Sequence, residues 1–302
     1  MKIPLRGALV AAPLSLAILA CSSSDSGGAK GTVQIIVVPE DTIPGGLEPG
    51  NGDENVKDGW KITYDRFLTT VGNFKATRSD AAGESLADPA VYVLDLKNAP
   101  ASGYVLATLS DAAAARWDKF GFDMPNAKAG AKAGGSTTAA DLDFMIKGGY
   151  SVYFEGTAEK GADKISFKWG FAAGTSFADC AAADGAVGFA VPAGGTVQVK
   201  PTIHGDHIFF TNVTQGAEIT ERRAEWMKTC DKNADKSLTI DELKACDAAT
   251  ALPQKPSGAY DLTGVKDADG DGKITVYDYV AGQLRTLGDF QGDGECPTRR
   301  AL

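Results

Sequence analysis

The chain has 302 residues, a formal net charge of −9 and a hydrophobic share of 43%. That length admits one large domain or two smaller ones, and the hydrophobic share is that of a folded chain. The acidic balance argues against nucleic acid or an anionic lipid surface as a partner.

The first twenty residues, MKIPLRGALVAAPLSLAILA, place Lys2 and Arg6 ahead of an apolar run that Pro13 interrupts. At about 14 residues the run is too short to cross a hydrocarbon layer of roughly 30 Å, so residues 1–20 read as a signal peptide. Next come Ile18-Leu19-Ala20-Cys21 and then Ser22-Ser23-Ser24-Asp25-Ser26-Gly27-Gly28. This resembles the lipobox of bacterial lipoproteins, with Ile18 where that family prefers leucine. The resemblance implies cleavage before Cys21, lipid on its sulfur and new amino group, and a flexible tether over residues 21–31. Several acyl chains would anchor the protein firmly. It would then be exported and lipid-anchored in the bacterial cell envelope, at the outer membrane on its periplasmic or surface face. Losing the leader removes two positive charges and no acid, leaving −11.

Export sets the redox context. With Cys21 set aside, Cys180, Cys230, Cys246 and Cys296 are an even set in an oxidising compartment. Four cysteines allow three pairings. Proximity in sequence favours Cys230 with Cys246, which leaves Cys180 with Cys296 to tie the tail back to the body.

From residue 32 to about residue 215 the chain reads as short strands joined by Gly, Pro, Asn and Asp turns. Candidates are Val33–Val38, Trp60–Phe67 running on toward Phe74, Val91–Leu96, Tyr104–Leu109, Trp117–Phe122, Tyr150–Gly156, Ile165–Phe171, Val187–Val191 and Val197–Ile203. Several alternate apolar with polar, as sheets with one wet face do. Many strands without long helices between them predict a mainly β fold with an antiparallel sandwich body. Ala112–Trp117 is the one helix-like break, and Ala127–Ala140, with small residues and no anchors, reads as an exposed loop. Trp60, Trp117 and Trp169 admit a carbohydrate-facing surface or, more often in a sandwich, core.

The pattern changes near Gly216. In Glu218–Cys230, Ala224, Trp226, Met227 and Cys230 share roughly one helical face, and Ile240–Ala248 and Val276–Leu287 are also helix-like. Residues 216–302 therefore form a small α-helical module after the β body.

Two acidic stretches dominate that module. Ca²⁺ takes six to eight oxygens at about 2.4 Å, which a tightly turned chain supplies from alternate positions. Asp231 to Glu242 offers Asp231, Asn233, Asp235, the Ser237 carbonyl, Thr239 and Glu242. Asp267 to Asp278 starts 36 residues later and offers Asp267, Asp269, Asp271, the Lys273 carbonyl, Thr275 and Asp278. Both resemble the loops of the EF-hand calcium-binding family, over about 75 of the 302 residues. The resemblance implies a paired module binding one or two Ca²⁺, with Leu238 and Ile274 at the eighth positions packed against each other. Each copy departs from the pattern. The first has Lys236 where the loop wants a glycine with φ > 0, at a cost of about 1 kcal/mol. The second keeps Gly272 but closes with Asp278, one methylene shorter than Glu, which favours a single contact and greater Mg²⁺ tolerance. With Pro253, Pro256, Gly258 and Gly264 ahead of it, the second loop lacks a proper entering helix and also resembles a dockerin repeat. That resemblance implies calcium-dependent docking onto a partner protein. Asp289-Phe-Gln-Gly-Asp-Gly echoes a third loop, but its twelfth residue is Arg300, so it reads as a turn.

The only two histidines are His204 and His207, in T-I-H-G-D-H. On a regular strand residues three apart face opposite sides. A bend at Gly205-Asp206 would bring both imidazoles together with Asp206 as a third ligand or supporting partner, the pattern of a transition-metal site. The bland alternative is a strand end whose histidines pack near the domain junction. No G-x-S-x-G, HExxH, phosphate-binding glycine loop or CxxC is present. The expectation is a non-catalytic envelope lipoprotein whose paired loops bind calcium, in a structural or adhesive, ligand-binding role. An envelope protein or glycan is its expected kind of partner. A constitutive structural site fits better than a switch, because Met227 is the module's only methionine and sensor hands expose a Met-rich groove.

Overall fold

The computed structural model describes residues 28–213 and 220–302. The leader, Cys21, most of the tether, and Glu218 and Ile219 of the expected entering helix lie outside these residues. The protein is mainly β, 42% strand and 16% helix, with a curled sheet that makes a half-barrel.

The organising element is the strand Lys61–Thr77. Its first half pairs with Val152–Lys160, and its second half with Ser85–Asp95 and Lys119–Met124. Between the halves the register slips at Gly72/Phe74, and Asn73 sits at φ 50°. A bulge of this kind bends the strand and curls the sheet. Gly72 is required there, because a Cβ would meet the Ala90 carbonyl oxygen at 2.2 Å.

A second sheet is built on Lys30–Pro39. It runs antiparallel to Tyr104–Ala113 but parallel to Thr196–Val199 and Pro201–Ile203. Antiparallel pairs dominate the two sheets without being universal. Side chains from both meet in one apolar cluster that includes Val33, Tyr64, Phe154, Trp169 and Phe209. Trp60, Trp117 and Trp169 are all buried, so the tryptophans are core and not a glycan platform.

The C-terminal residues share that core. Trp226, Leu243, Val276, Tyr279, Leu284 and Phe290 belong to the same cluster. The chain then returns strands to the body: Gly288–Phe290 pairs with Pro201–Ile203, and Thr298–Ala301 with Thr175–Ala178. Disulfides Cys180–Cys296 and Cys230–Cys246 both form. Two such bonds indicate an oxidising, exported environment, and no helix of the described residues is long and apolar enough to cross a membrane.

Several elements differ from expectation. Ala112–Trp117 is not helical, since Ala112 lies in the strand Tyr104–Ala113 and Arg116–Trp117 pairs with Phe189–Ala190. The stretch expected as a loop over Ala127–Ala140 contains the strand Lys132–Gly134 and the start of a helix, Ala139–Gly148. That helix carried a start signal: Thr138 and Asp141 form a reciprocal capping box. It roofs a small second core of Leu68, Val93, Ala127, Met145 and Tyr153.

The C-terminal helices are shorter than their periodicity suggests. The first begins only at Glu225, because Arg222 bridges in extended conformation to Val56 and Phe210. Its expected apolar face is nonetheless correct: Ala224, Trp226, Met227 and Cys230 are all buried. Ile240–Ala248 breaks at Cys246, which turns to φ −95°, ψ 106°, and Val276–Leu284 stops where Leu287 accepts a bond from the His204 amide.

Candidate metal sites

Loop one is folded by its own side chains. The Asp231 carboxylate accepts from the Lys236 amide at 3.1 Å, Asn233 from Asp235 at 2.8 Å, and Asp235 from Ser237 at 2.8 Å. These bonds wind the chain through Ala234 at φ 56° and Lys236 at φ 66°. The lysine thus occupies the left-handed conformation that the missing glycine would have taken. Thr239 caps the following helix Ile240–Ala245 and exchanges bonds with Glu242, whose Oε2 accepts from the Thr239 amide at 2.9 Å. Asp231 Oδ1 and Glu242 Oε1 are then left buried and without a partner. They occupy the first and last ligand positions of the loop.

Loop two is wound the same way. Asp267 accepts from the amides of Gly270, Asp271 and Gly272 at 2.6, 3.2 and 2.8 Å, with Gly270 and Gly272 at φ 77° and 84°. Those amide bonds, Gly272's first among them, hold the Asp267 carboxyl below the usual range. Asp267, Asp269 and Asp271 each place one oxygen within 4.8 Å of the others and face solvent. Loop one's Asp231, Asp235 and Glu242 do not converge in this way. Asp278 is turned inward and uses both oxygens, accepting from Ala268 at 2.7 Å and from the Thr275 amide at 2.8 Å. The shorter side chain therefore closes its own backbone, while Glu242 keeps one oxygen open.

The two loops do not pack eighth position to eighth position. Leu238 lies in a short strand, Ser237–Leu238, that runs parallel to Ser166 and Phe167, and its carbonyl accepts from Trp169 Nε1 at 2.7 Å. Ile274 is 38% exposed. Loop two instead meets the chain just after loop one's helix, through Val276 to Cys246 at 2.9 Å and Ala248 to Ile274 at 3.2 Å. A face-to-face EF-hand pair is not shown; loop one is pinned to the body strand Asp163–Phe171, with Ser166 donating to the Lys236 carbonyl at 2.9 Å. One further contact, without a signal in the residue pattern, ties the two segments: Lys244 stands 3.1 Å from Asp269 and over the Tyr277 ring.

The histidines lie elsewhere, and they are buried. The strand Pro201–Ile203 ends before His204, the chain bends at Gly205-Asp206, and His207–Phe209 forms a 3-10 turn. Gly205 makes the bend possible: a Cβ there would meet Ile43 Cγ1 at 2.7 Å, and the Tyr64 hydroxyl donates to the Gly205 carbonyl at 2.6 Å. One ligand atom each of His204, Asp206 and His207 lies within 4.8 Å of the others. Asp206 is 1% exposed, and one of its oxygens is gripped by Arg222, whose Nε donates at 2.7 Å. Asp289 joins from the C-terminal strand, 3.4 Å from His204 Nε2.

The electrostatics follow from burial and these neighbours. Burial alone would pull the His204 imidazole down, but Asp206, Asp289 and Glu40 outweigh it and carry its pKa up to about 9. Burial would likewise raise Asp206, yet His204, His207 and Arg222 hold it well below the carboxylate range. His207, wholly buried, is pushed down to about 3, and burial lifts Asp289 to about 7. Sequence reasoning found the histidines and Asp206 but missed Arg222 and Asp289. Arg222 carries no signal in the sequence, and Asp289 lies in a stretch that reads as a turn.

Comparison with known proteins adds no identity: no family model, curated protein or solved structure matches the chain.

Proposed function

We propose that this is an exported, lipid-anchored envelope protein in which the loops Asp231–Glu242 and Asp267–Asp278 bind calcium as a structural element and not as a catalytic one. The observation that carries the reading is the pair of buried, unpartnered oxygens, Asp231 Oδ1 and Glu242 Oε1, at opposite ends of one wound loop. A buried carboxylate oxygen without a partner is costly, and a hard cation is the kind of ligand that would satisfy such an oxygen. In loop two the cluster Asp267, Asp269 and Asp271 would supply oxygens, with Asp278 committed to backbone amides. The Cys230–Cys246 bond encloses loop one and opposes the opening that a sensor would need. A body whose ligand is an envelope protein or glycan is compatible with this role, and fold alone does not choose between them.

Lipid anchoring rests on the resemblance around Cys21. Detergent phase partition of the expressed chain tests it: the native chain should enter the detergent phase and Cys21→Ser should not. Thermal unfolding of the exported chain in chelator and then in calcium tests the structural role. Saturation a hundred-fold above Kd should stabilise by about 2.7 kcal/mol, and no shift would refute it.

A further inference from the structure

We propose that His204, Asp206 and His207 form a second, buried metal site for a transition-metal ion of the zinc or copper kind, independent of the calcium loops. Thr286 Oγ donates to the Gln283 carbonyl at 2.8 Å, so toward His207 it can only accept, and the Thr286 carbonyl can only accept. His207 Nδ1 lies 2.9 Å from that carbonyl and 3.1 Å from that hydroxyl. The proton of a neutral His207 therefore sits on Nδ1, and Nε2 carries the open lone pair. A backbone carbonyl holding one ring nitrogen so that the other can bind metal is the usual support for an imidazole ligand.

The same division of labour recurs at the other two residues. Arg222 grips Asp206 Oδ2, and Oδ1 is buried without a hydrogen-bond partner. At His204 both nitrogens face carboxylates at ion-pair distances longer than a good hydrogen bond. Nδ1 is 3.7 Å from Asp206 Oδ1, and Nε2 is 3.4 Å from Asp289 Oδ2. His204 Nε2 and Asp289 Oδ1 are both buried without a hydrogen bond, Asp289 Oδ1 standing 3.8 Å from the Arg299 guanidinium. Ligand atoms sharing an ion at about 2.0–2.2 Å stand roughly 3–3.5 Å apart, so the His204 Nδ1 to Asp206 Oδ1 gap is close to that of two ligands on one metal. The set is then His204 Nδ1, whose proton the metal displaces, Asp206 Oδ1 and His207 Nε2. Asp289 completes a carboxylate–histidine support on Nε2, or closes a fourth position with Oδ1.

Two imidazoles and a carboxylate select borderline transition metals over Ca²⁺, whose ligands are all oxygen. The three residues are 7%, 1% and 8% exposed, which closes the site to substrate. Its role is to fasten the end of Pro201–Ile203 and the 3-10 turn, and through Asp289 the strand Gly288–Phe290.

The test uses the exported full-length chain, stripped with chelator, then given Zn²⁺ alone or Cu²⁺ alone and exchanged into metal-free buffer. One equivalent of zinc should remain bound. The cupric form should show nitrogen hyperfine structure from two imidazoles in its paramagnetic resonance spectrum, a readout needing no variant. His204→Gln and His207→Gln should each lower affinity at least 100-fold, and Asp289→Asn by 10- to 100-fold. Asp267→Asn, in loop two, should retain the zinc. Failure to keep an equivalent of metal, a spectrum without two nitrogens, or uptake abolished by Asp267→Asn instead would overturn the proposal. Calcium binding is measured separately, so either site can fail without the other.

Discussion

The acidic loops and the histidine cluster solve the problem of placing ligands in opposite ways. Each loop is written within twelve consecutive residues, its acids held by amides a few positions away, and most of its oxygens face water. The histidine cluster joins Asp206, Arg222, Thr286 and Asp289 from three stretches of the chain and excludes solvent. A local site depends on its turn chemistry, whereas a long-range site depends on the fold that assembles it. Substitutions should therefore separate the two by size of effect.

The largest effect belongs to the buried cluster. Arg222→Met removes the cation gripping Asp206 and leaves that buried carboxylate only the histidines as charged neighbours, and breaking a buried pair costs about 3–5 kcal/mol. Urea unfolding should register that loss, while the calcium affinity of any variant that still folds should change little. An unchanged midpoint would mean that the cluster contributes no more than a surface pair.

The disulfides give the next contrast. Cys180–Cys296 spans 116 residues and Cys230–Cys246 spans 16. Loop-closure entropy gives about 4.7 kcal/mol for a closed loop near 100 residues and about 3 for one near 15. Replacing both cysteines of each pair with serine should rank the losses in that order by denaturant unfolding. Only the shorter bond's loss should weaken calcium binding at loop one. Equal effects on calcium would erase the local character claimed for the loop.

A smaller change sharpens the loops themselves. Lys236→Gly should relieve a left-handed residue and gain about 1 kcal/mol, seen as a several-fold tighter calcium isotherm. No gain would mean that Lys236 is not strained at φ 66°.

The smallest effect lies outside both sites, in the Arg66 network. Burial would raise Asp141 and Glu155. Bonds from Thr138 and Arg66 to the first, and from Tyr153, Lys168 and Arg66 to the second, hold both below their ordinary 3.8 and 4.5. Their folded-state values lie below the unfolded ones, so the stabilisation is present above pH 4.5 and is lost as pH falls through the folded values. Arg66→Met should flatten that acid dependence in unfolding curves measured from pH 5 downward.

What the sequence revealed follows the same division. The strand alternation in Ile165-Ser-Phe-Lys-Trp, the buried face of Ala224, Trp226, Met227 and Cys230, both disulfide pairings and the winding of the acidic loops were legible, because each depends on near neighbours or on elimination. The bend at Gly205-Asp206 was open as an alternative, and the structure takes it. The orientation of the loops was not legible: Leu238 faces a body strand and not Ile274, a contact set by residues about 70 positions away. Nor was Asp289, whose meeting with His204 requires the C-terminal strand to return to Pro201–Ile203. The helix Ala139–Gly148 was missed although Thr138 and Asp141 announce its start, since the small residues before it resemble a linker.

Calcium titration of the exported, chelator-stripped chain by calorimetry tests the central claim most directly, with Glu242→Gln and Asp267→Asn measured beside it. The account expects saturable binding of one or two ions, with loop one's share lost in Glu242→Gln and loop two's in Asp267→Asn. No calcium heat in the native chain, or heat that both variants keep in full, would contradict it.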